Sequence, residues 1–242
     1  MNAIQTTNLT KRYKEIAAVS SLNLDVRQGE LFALLGMNGA GKTTTVRMLS
    51  CLTLPTGGEA YIHGKSIVGE AADVKSIIGV SPQETAVAPQ LTVRENLELI
   101  CGIYGLSQEK TKAKIHSIAE QFHLQDMLSR KAGKLSGGWQ RRLSIAMALI
   151  GEPLVLFLDE PTLGLDVLAR RELWDVICAL KGKVTIVLTT HYMEEAQYLS
   201  DRIGILKDGR LLVTATPKEL MEKTSTDTVE QAFIVVVKEG EK

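Results

Sequence analysis

The chain has 242 residues, 45% of them hydrophobic, with 28 basic and 28 acidic side chains. This length and apolar share support a folded α/β body with a sizeable core. The even charge excludes a strong pull toward nucleic acid or anionic lipid, and no apolar run approaches the roughly 20 residues that cross a bilayer. The amino terminus, from Met1 to Thr6, lacks the basic and apolar regions of a signal peptide, so a cytoplasmic location is expected. Cys51, Cys101 and Cys178 stand far apart with no metal or redox spacing, the pattern of buried thiols in a reducing compartment.

Leu31-Phe32-Ala33-Leu34-Leu35 is an unbroken apolar run and predicts a buried strand. Gly36-Met37-Asn38-Gly39-Ala40-Gly41-Lys42-Thr43-Thr44 follows it and fits the phosphate-loop pattern G-x-x-x-x-G-K-S/T. Thr43 to Leu52 predicts a helix that stops before Pro55. The chemistry needs this order. Glycines let the backbone turn its N–H groups toward phosphate oxygens, and the helix N-terminus adds partial positive charge. Lys42 is expected to reach the β- and γ-phosphates and the Thr43 hydroxyl to ligate Mg²⁺, which makes the ligand a nucleoside triphosphate.

The N-terminal portion, exemplified by Ala60-Tyr61-Ile62-His63-Gly64, predicts short strands between glycine-containing turns. Residues 84–149 differ in kind. Thr92-Val93-Arg94-Glu95 has capping-box form and opens a helix with Val93, Leu97, Ile100 and Tyr104 on one face. A second helix places Ile115, Ile118, Ala119 and Phe122 at helical spacing. Leu135-Ser136-Gly137-Gly138 then precedes a helical run, Trp139–Ile150. Its small, polar entrance makes a second anion-seeking helix end, although a plain helix cap has the same composition.

Leu154–Leu158 predicts another strand, ending in Asp159 and Glu160 where α/β folds place ligands. Asp159 is expected to hold Mg²⁺ through water, and Glu160 to polarise an attacking water as general base. Strands are also expected at Val184–Leu188 and Ile203–Leu206, so the fold class is α/β with a mostly parallel sheet. Thr216-Pro217-Lys218-Glu219 combines an N-cap, a first-turn proline and a capping glutamate. The expected organisation is one domain: residues 1–83 and 150–215 as core and antiparallel β subdomain, 84–149 as an inserted helical subdomain, and 216–242 as a C-terminal extension.

A phosphate loop, then Leu-Ser-Gly-Gly, then an apolar strand ending Asp-Glu resembles the nucleotide-binding subunit of ABC transporters across about residues 9–209. In that resemblance Tyr13 matches the aromatic residue that stacks on adenine, and Gln83 matches the Q-loop glutamine, with a part in metal binding and catalysis. Gly164-Leu165-Asp166 matches the D-loop, and His191 the switch histidine that contacts the γ-phosphate. The family's nucleotide contacts fall here on Tyr13, Gly36, Asn38, Gly39, Ala40, Gly41, Lys42, Thr43, Thr44, Ser136, Gly137, Gly138 and Asp166. Metal contacts fall on Thr43, Gln83 and Asp159, and catalytic roles on Glu160, His191 and Gln83. Two positions depart from the usual pattern. Trp139 stands where the signature often has glutamine, and Met37 where proline is common.

The resemblance implies ATP and Mg²⁺ as cofactors and a P-loop NTPase fold. It implies two subunits that sandwich ATP head to tail, and a separate transmembrane permease at the inner face of the cell membrane. Ser81-Pro82-Gln83-Glu84, Leu91–Leu97 and the tail Thr228–Phe233 resemble the subclass that exports drugs, antibiotics, lipids, polysaccharides or ions. A soluble ABC ATPase of iron–sulfur assembly or repair type is the alternative. No feature implies a nucleic-acid partner.

Overall fold

A computed structural model describes residues 1–240, so the last two residues of the expected C-terminal extension lie outside the described residues. In chain order the elements are β1 (Asn2–Tyr13), β2 (Ile16–Leu22), β3 (Asp25–Arg27), β4 (Leu31–Leu35), α1 (Lys42–Leu49), β5 (Gly57–Ile62), β6 (Lys65–Ser66), α2 (Ala71–Ser76) and β7 (Ile78–Ser81). There follow α3 (Val93–Ile103), α4 (Gln108–Gln121), α5 (Gly137–Ala148), β8 (Val155–Asp159), α6 (Val167–Cys178) and β9 (Thr185–Thr190). The chain ends with α7 (Met193–Leu199), β10 (Arg202–Lys207), β11 (Arg210–Ala215), α8 (Pro217–Thr224) and α9 (Val229–Glu239). Among the described residues, no helix is long and apolar enough to cross a membrane.

Two sheets organise these elements. One runs β2-β1-β5-β6, with β3 also on β1, and all its pairings are antiparallel. The other runs β11-β10-β4-β9-β8-β7; its strands pair in parallel except for β11 at the edge. The fold is therefore α/β with a mostly parallel sheet and an antiparallel β unit. Between β7 and β8 the chain leaves the sheet for a helical segment that contains α3, α4 and α5.

Side-chain alternation decides what each face of the parallel sheet covers. Phe32 and Leu34 of β4, Val155 and Phe157 of β8, and Val187 of β9 pack with α1 and the antiparallel unit. The intervening residues Leu31, Ala33, Leu35, Leu156, Leu158, Ile186 and Leu188 pack with the other helices. β4 and β8 are buried at every position, which explains their continuous apolar sequences. Asp159 follows the alternation of Val155 and Phe157, so it falls on the α1 face.

Three sequence expectations need correction. β1 is a twelve-residue strand rather than a short one. It stays continuous because bulges and register shifts against β2, β3 and β5 let it curve, with Asn8 at φ 50°. α1 stops at Leu49 rather than Leu52. Cys51 turns left-handed at φ 56°, and the N–H groups of Leu52 and Thr53 both donate to the Arg47 carbonyl. The helix expected at Trp139–Ile150 spans Gly137–Ala148. Both expected capping boxes, Thr92 with Glu95 and Thr216 with Glu219, are formed.

Candidate functional site

β4 ends at Leu35 in the middle of the sheet, and the phosphate loop leaves its C-terminal end. The loop is held from both sides. The Gly36 N–H donates to the Thr190 carbonyl of β9, and the Gly209 N–H of the β10–β11 turn donates to the Ala40 carbonyl. Gly41, the N-cap of α1, has φ 102°, and a Cβ there would lie 2.4 Å from the Ala18 carbonyl oxygen. Gly39 has φ 82° with open space around it. Gly41→Ala is therefore expected to cost more than the roughly 1–3 kcal/mol of backbone strain that Gly39→Ala incurs, measured by urea unfolding of the two variants.

No side chain caps α1, so its first-turn N–H groups remain free donors facing the loop. Lys42 is 4% exposed, and its Nζ donates to the carbonyls of Gly36 (2.8 Å) and Met37 (3.2 Å). The cavity here is about 400 Å³ and is lined by Asn38 through Thr44 together with Ala18, Gln83, Glu160, Leu163 and His191. A strip of backbone donors, a helix N-terminus and a buried ammonium is a donor set for a polyphosphate.

The acids sit against this loop. The Thr43 hydroxyl donates to Asp159 Oδ1 at 3.2 Å, and the Thr189 hydroxyl donates to the same oxygen. Glu160 is nearly buried, with φ 46°, and its N–H donates to the Thr189 hydroxyl at 3.0 Å. One Glu160 oxygen lies 3.2 Å from Lys42 Nζ and the other 3.2 Å from His191 Nδ1. The His191 contact has ion-pair distance without hydrogen-bond alignment, since Nδ1 has no hydrogen-bond partner. Thr43 and Asp159 offer two hard oxygens beside the phosphate donors, which suits Mg²⁺ held mostly by phosphate and water.

Ser136 and Gly138 lie elsewhere. They line a separate cavity of about 240 Å³ with Trp139, Arg142, Asp166, Leu168, Ala169 and Glu172. Ser136 and Gly137 are exposed, and the Ser136 hydroxyl makes no capping bond to its own helix. Asp166 caps α6 by accepting from the Ala169 N–H. The Trp139 ring stacks on Arg142, which pairs with Glu172. Leu163 at the first cavity, Leu168 at the second and Val167 beside it in sequence are exposed apolar side chains. Tyr13 ends β1 with Lys11 Nζ 5.0 Å from its ring centre and does not line the phosphate-loop cavity.

Sequence reasoning missed Arg141. This buried side chain on α5 donates to the carbonyls of Pro82 (2.6 Å) and Gln83 (2.5 Å), tying the segment after β7 to the signature helix. Burial pushes its pKa down, and Asp159 and Glu195 oppose that shift. Thr189, which buttresses both Asp159 and the Glu160 backbone, was also missed. A threonine in an apolar strand carries no signal of its own.

Known proteins resemble this chain in sequence and fold. Residues 19–163, well over half the chain, match the ABC transporter family. The chain is 39% identical over 245 residues to the probable multidrug ABC transporter ATP-binding protein YbhF of Escherichia coli, covering 99% of this chain but 42% of that protein. It is 40% identical to the Nod factor export ATP-binding protein I of Rhizobium etli, covering 92% of this chain and 71% of that one. A solved dimeric post-hydrolysis structure of an ATP-binding cassette with ADP and Pi superposes with TM-score 0.79 at 30% identity, over 88% of this chain and 98% of that one. The chain therefore belongs to the ABC transporter family and is built as one of its ATP-binding cassettes.

Proposed function

We propose that this chain binds and hydrolyses ATP as the motor subunit of an exporter, working as a head-to-tail dimer beneath a separate membrane-embedded permease. The observation that carries the reading is the division of phosphate-seeking groups between two cavities on one chain. One holds the phosphate loop, Glu160 and His191. The other holds an uncapped helix entrance at the exposed Ser136 and at Gly138. Two copies facing each other bring the second cavity of one onto the first cavity of the other, an arrangement that twofold symmetry closes.

In this mechanism the loop N–H groups and Lys42 hold the β- and γ-phosphates, with Gly36, Asn38, Gly39, Ala40, Gly41, Thr43 and Thr44 shaping the cradle. Mg²⁺ on Thr43, with Asp159 behind it and Gln83 nearby, would neutralise charge developing between the phosphates. Glu160 takes the proton from the attacking water, and His191 touches the γ-phosphate. Tyr13 lies against adenine. Ser136, Gly137, Gly138 and Asp166 act from the opposing copy. ATP thus joins the two surfaces, and its cleavage removes the link. Names of the similar proteins, one for multidrug transport and one for Nod factor export, support the export direction.

Subunit complementation tests the reading. Lys42→Ala and Ser136→Arg variants are each expected to be inactive alone. Mixed, they form heterodimers with one intact composite site, so ATPase activity returns. If mixing restores nothing although each variant still dimerises with wild type, the shared site is wrong. A membrane protein that co-purifies from detergent-solubilised cells tests the permease.

A further inference from the structure

Glu195 is a carboxyl with no solvent exposure, on α7 just beyond the histidine. Its Oε1 accepts from the Thr162 hydroxyl at 2.8 Å and from Trp174 Nε1 at 2.9 Å, whereas Oε2 is buried with no hydrogen-bond partner. Burial raises its pKa, and the neighbouring hydroxyls, Trp174 and the Arg170 charge offset this only in part. The carboxyl is thus loaded on Oε1, while Oε2 is enclosed without a hydrogen bond of its own.

The groups it brings together lie in three places. Thr162, itself fully buried, lies two residues after Glu160 and begins the turn toward Asp166. Trp174 is on α6, the helix that Asp166 caps. Glu195 belongs to the same short segment as His191 and Tyr192, and the Tyr192 ring lies 4.5 Å from the Arg170 guanidinium of α6. The Tyr192 N–H donates to the Thr190 hydroxyl, which also faces the Glu195 carboxyl. A closed circuit results: Glu160, Thr162, Glu195, His191 and back to Glu160 across 3.2 Å.

We propose that Glu195 is a positioning residue whose Oε1 holds the loop after Glu160 to the segment bearing His191, and so sets the spacing of those two groups for ATP hydrolysis. This rests on the functional reading above. Glu195 does not line the phosphate-loop cavity.

The test uses the full chain with three substitutions. Thr162→Val and Glu195→Leu remove the bond; Glu195→Gln keeps an acceptor at Oε1. For the first two, kcat is expected to fall on the order of 10- to 100-fold, the cost of about an ångström of misplacement. KM for ATP should stay within about threefold of wild type, and Glu195→Gln should rescue most of the loss. The second readout is the His191 ring resonances in NMR spectra. Thr162→Val should move them in the direction that Glu160→Gln moves them, and Glu195→Gln should not. Should Glu195→Leu fail to fold, Thr162→Val alone decides. Wild-type kcat and unmoved His191 signals in Thr162→Val overturn the proposal, as does a Glu195→Gln variant as slow as Glu195→Leu. A wild-type chain that hydrolyses no ATP counts against the functional reading, and the NMR arm still judges this one.

Discussion

Glu160→Gln is expected to lower the turnover number for ATP by about three orders of magnitude, within the range for loss of a positioned general base, while ATP binding persists. The amide has the size of the carboxylate but no basic oxygen. The backbone at Glu160 is fixed independently of its side chain, through the Thr189 hydroxyl and carbonyl, so the substitution leaves the loop in place. Lys42 also loses a competing anion 3.2 Å away and is freer to engage phosphate. With cleavage blocked and one negative charge removed beside the triphosphate, the ATP-joined dimer should accumulate. Phosphate release measures the first effect, and sedimentation with and without ATP the second. Turnover near the wild-type rate would remove Glu160 from the base's role. A slow variant that stays monomeric with ATP would instead count against ATP as the joining element.

The parts of the site that are legible in sequence are contiguous. Gly36 to Thr44 declares itself because loop, lysine and helix start are adjacent, and the Asp159-Glu160 pair because it closes an apolar strand. Alternation even predicts which face Asp159 takes, once Val155 and Phe157 are assigned to the α1 side. Arg141 and Glu195 were illegible for the opposite reason. Each acts through partners far off in the chain, Arg141 across 58 and 59 positions and Glu195 across 21 and 33. Neither has a local pattern that distinguishes it from a solvated charge on a helix. The early stop of α1 belongs with them. Its sequence continues apolar past Leu49, and the turn at Cys51 is fixed partly by a contact from its thiol to the Ile67 carbonyl. The length of β1 follows from pairing with three other strands, which no local window contains.

Lys42→Ala carries the second large expectation, and it has two parts with different causes. For binding, the proposed mechanism makes the ammonium a charged donor to two phosphates. Losing two contacts worth about 1.5–3 kcal/mol each should weaken ATP binding about a hundredfold or more, read by calorimetric titration. For stability, the lysine in the free protein satisfies the Gly36 and Met37 carbonyls and pairs with Glu160, with both charged side chains at low exposure. Alanine leaves a nearly buried carboxylate facing only His191, and an uncompensated buried charge typically costs about 3–5 kcal/mol. Nearby water and the histidine reduce this, so a fall of about 4–8 °C in the unfolding midpoint, near 2 kcal/mol, is expected. The double variant Lys42→Ala/Glu160→Gln separates the causes, because it removes the stranded charge without restoring any phosphate contact. Its midpoint should recover most of the loss while its ATP affinity stays low. If the double variant is as unstable as Lys42→Ala, the carbonyl bonds rather than the ion pair hold the loop, and the lysine's structural role is that of a donor alone.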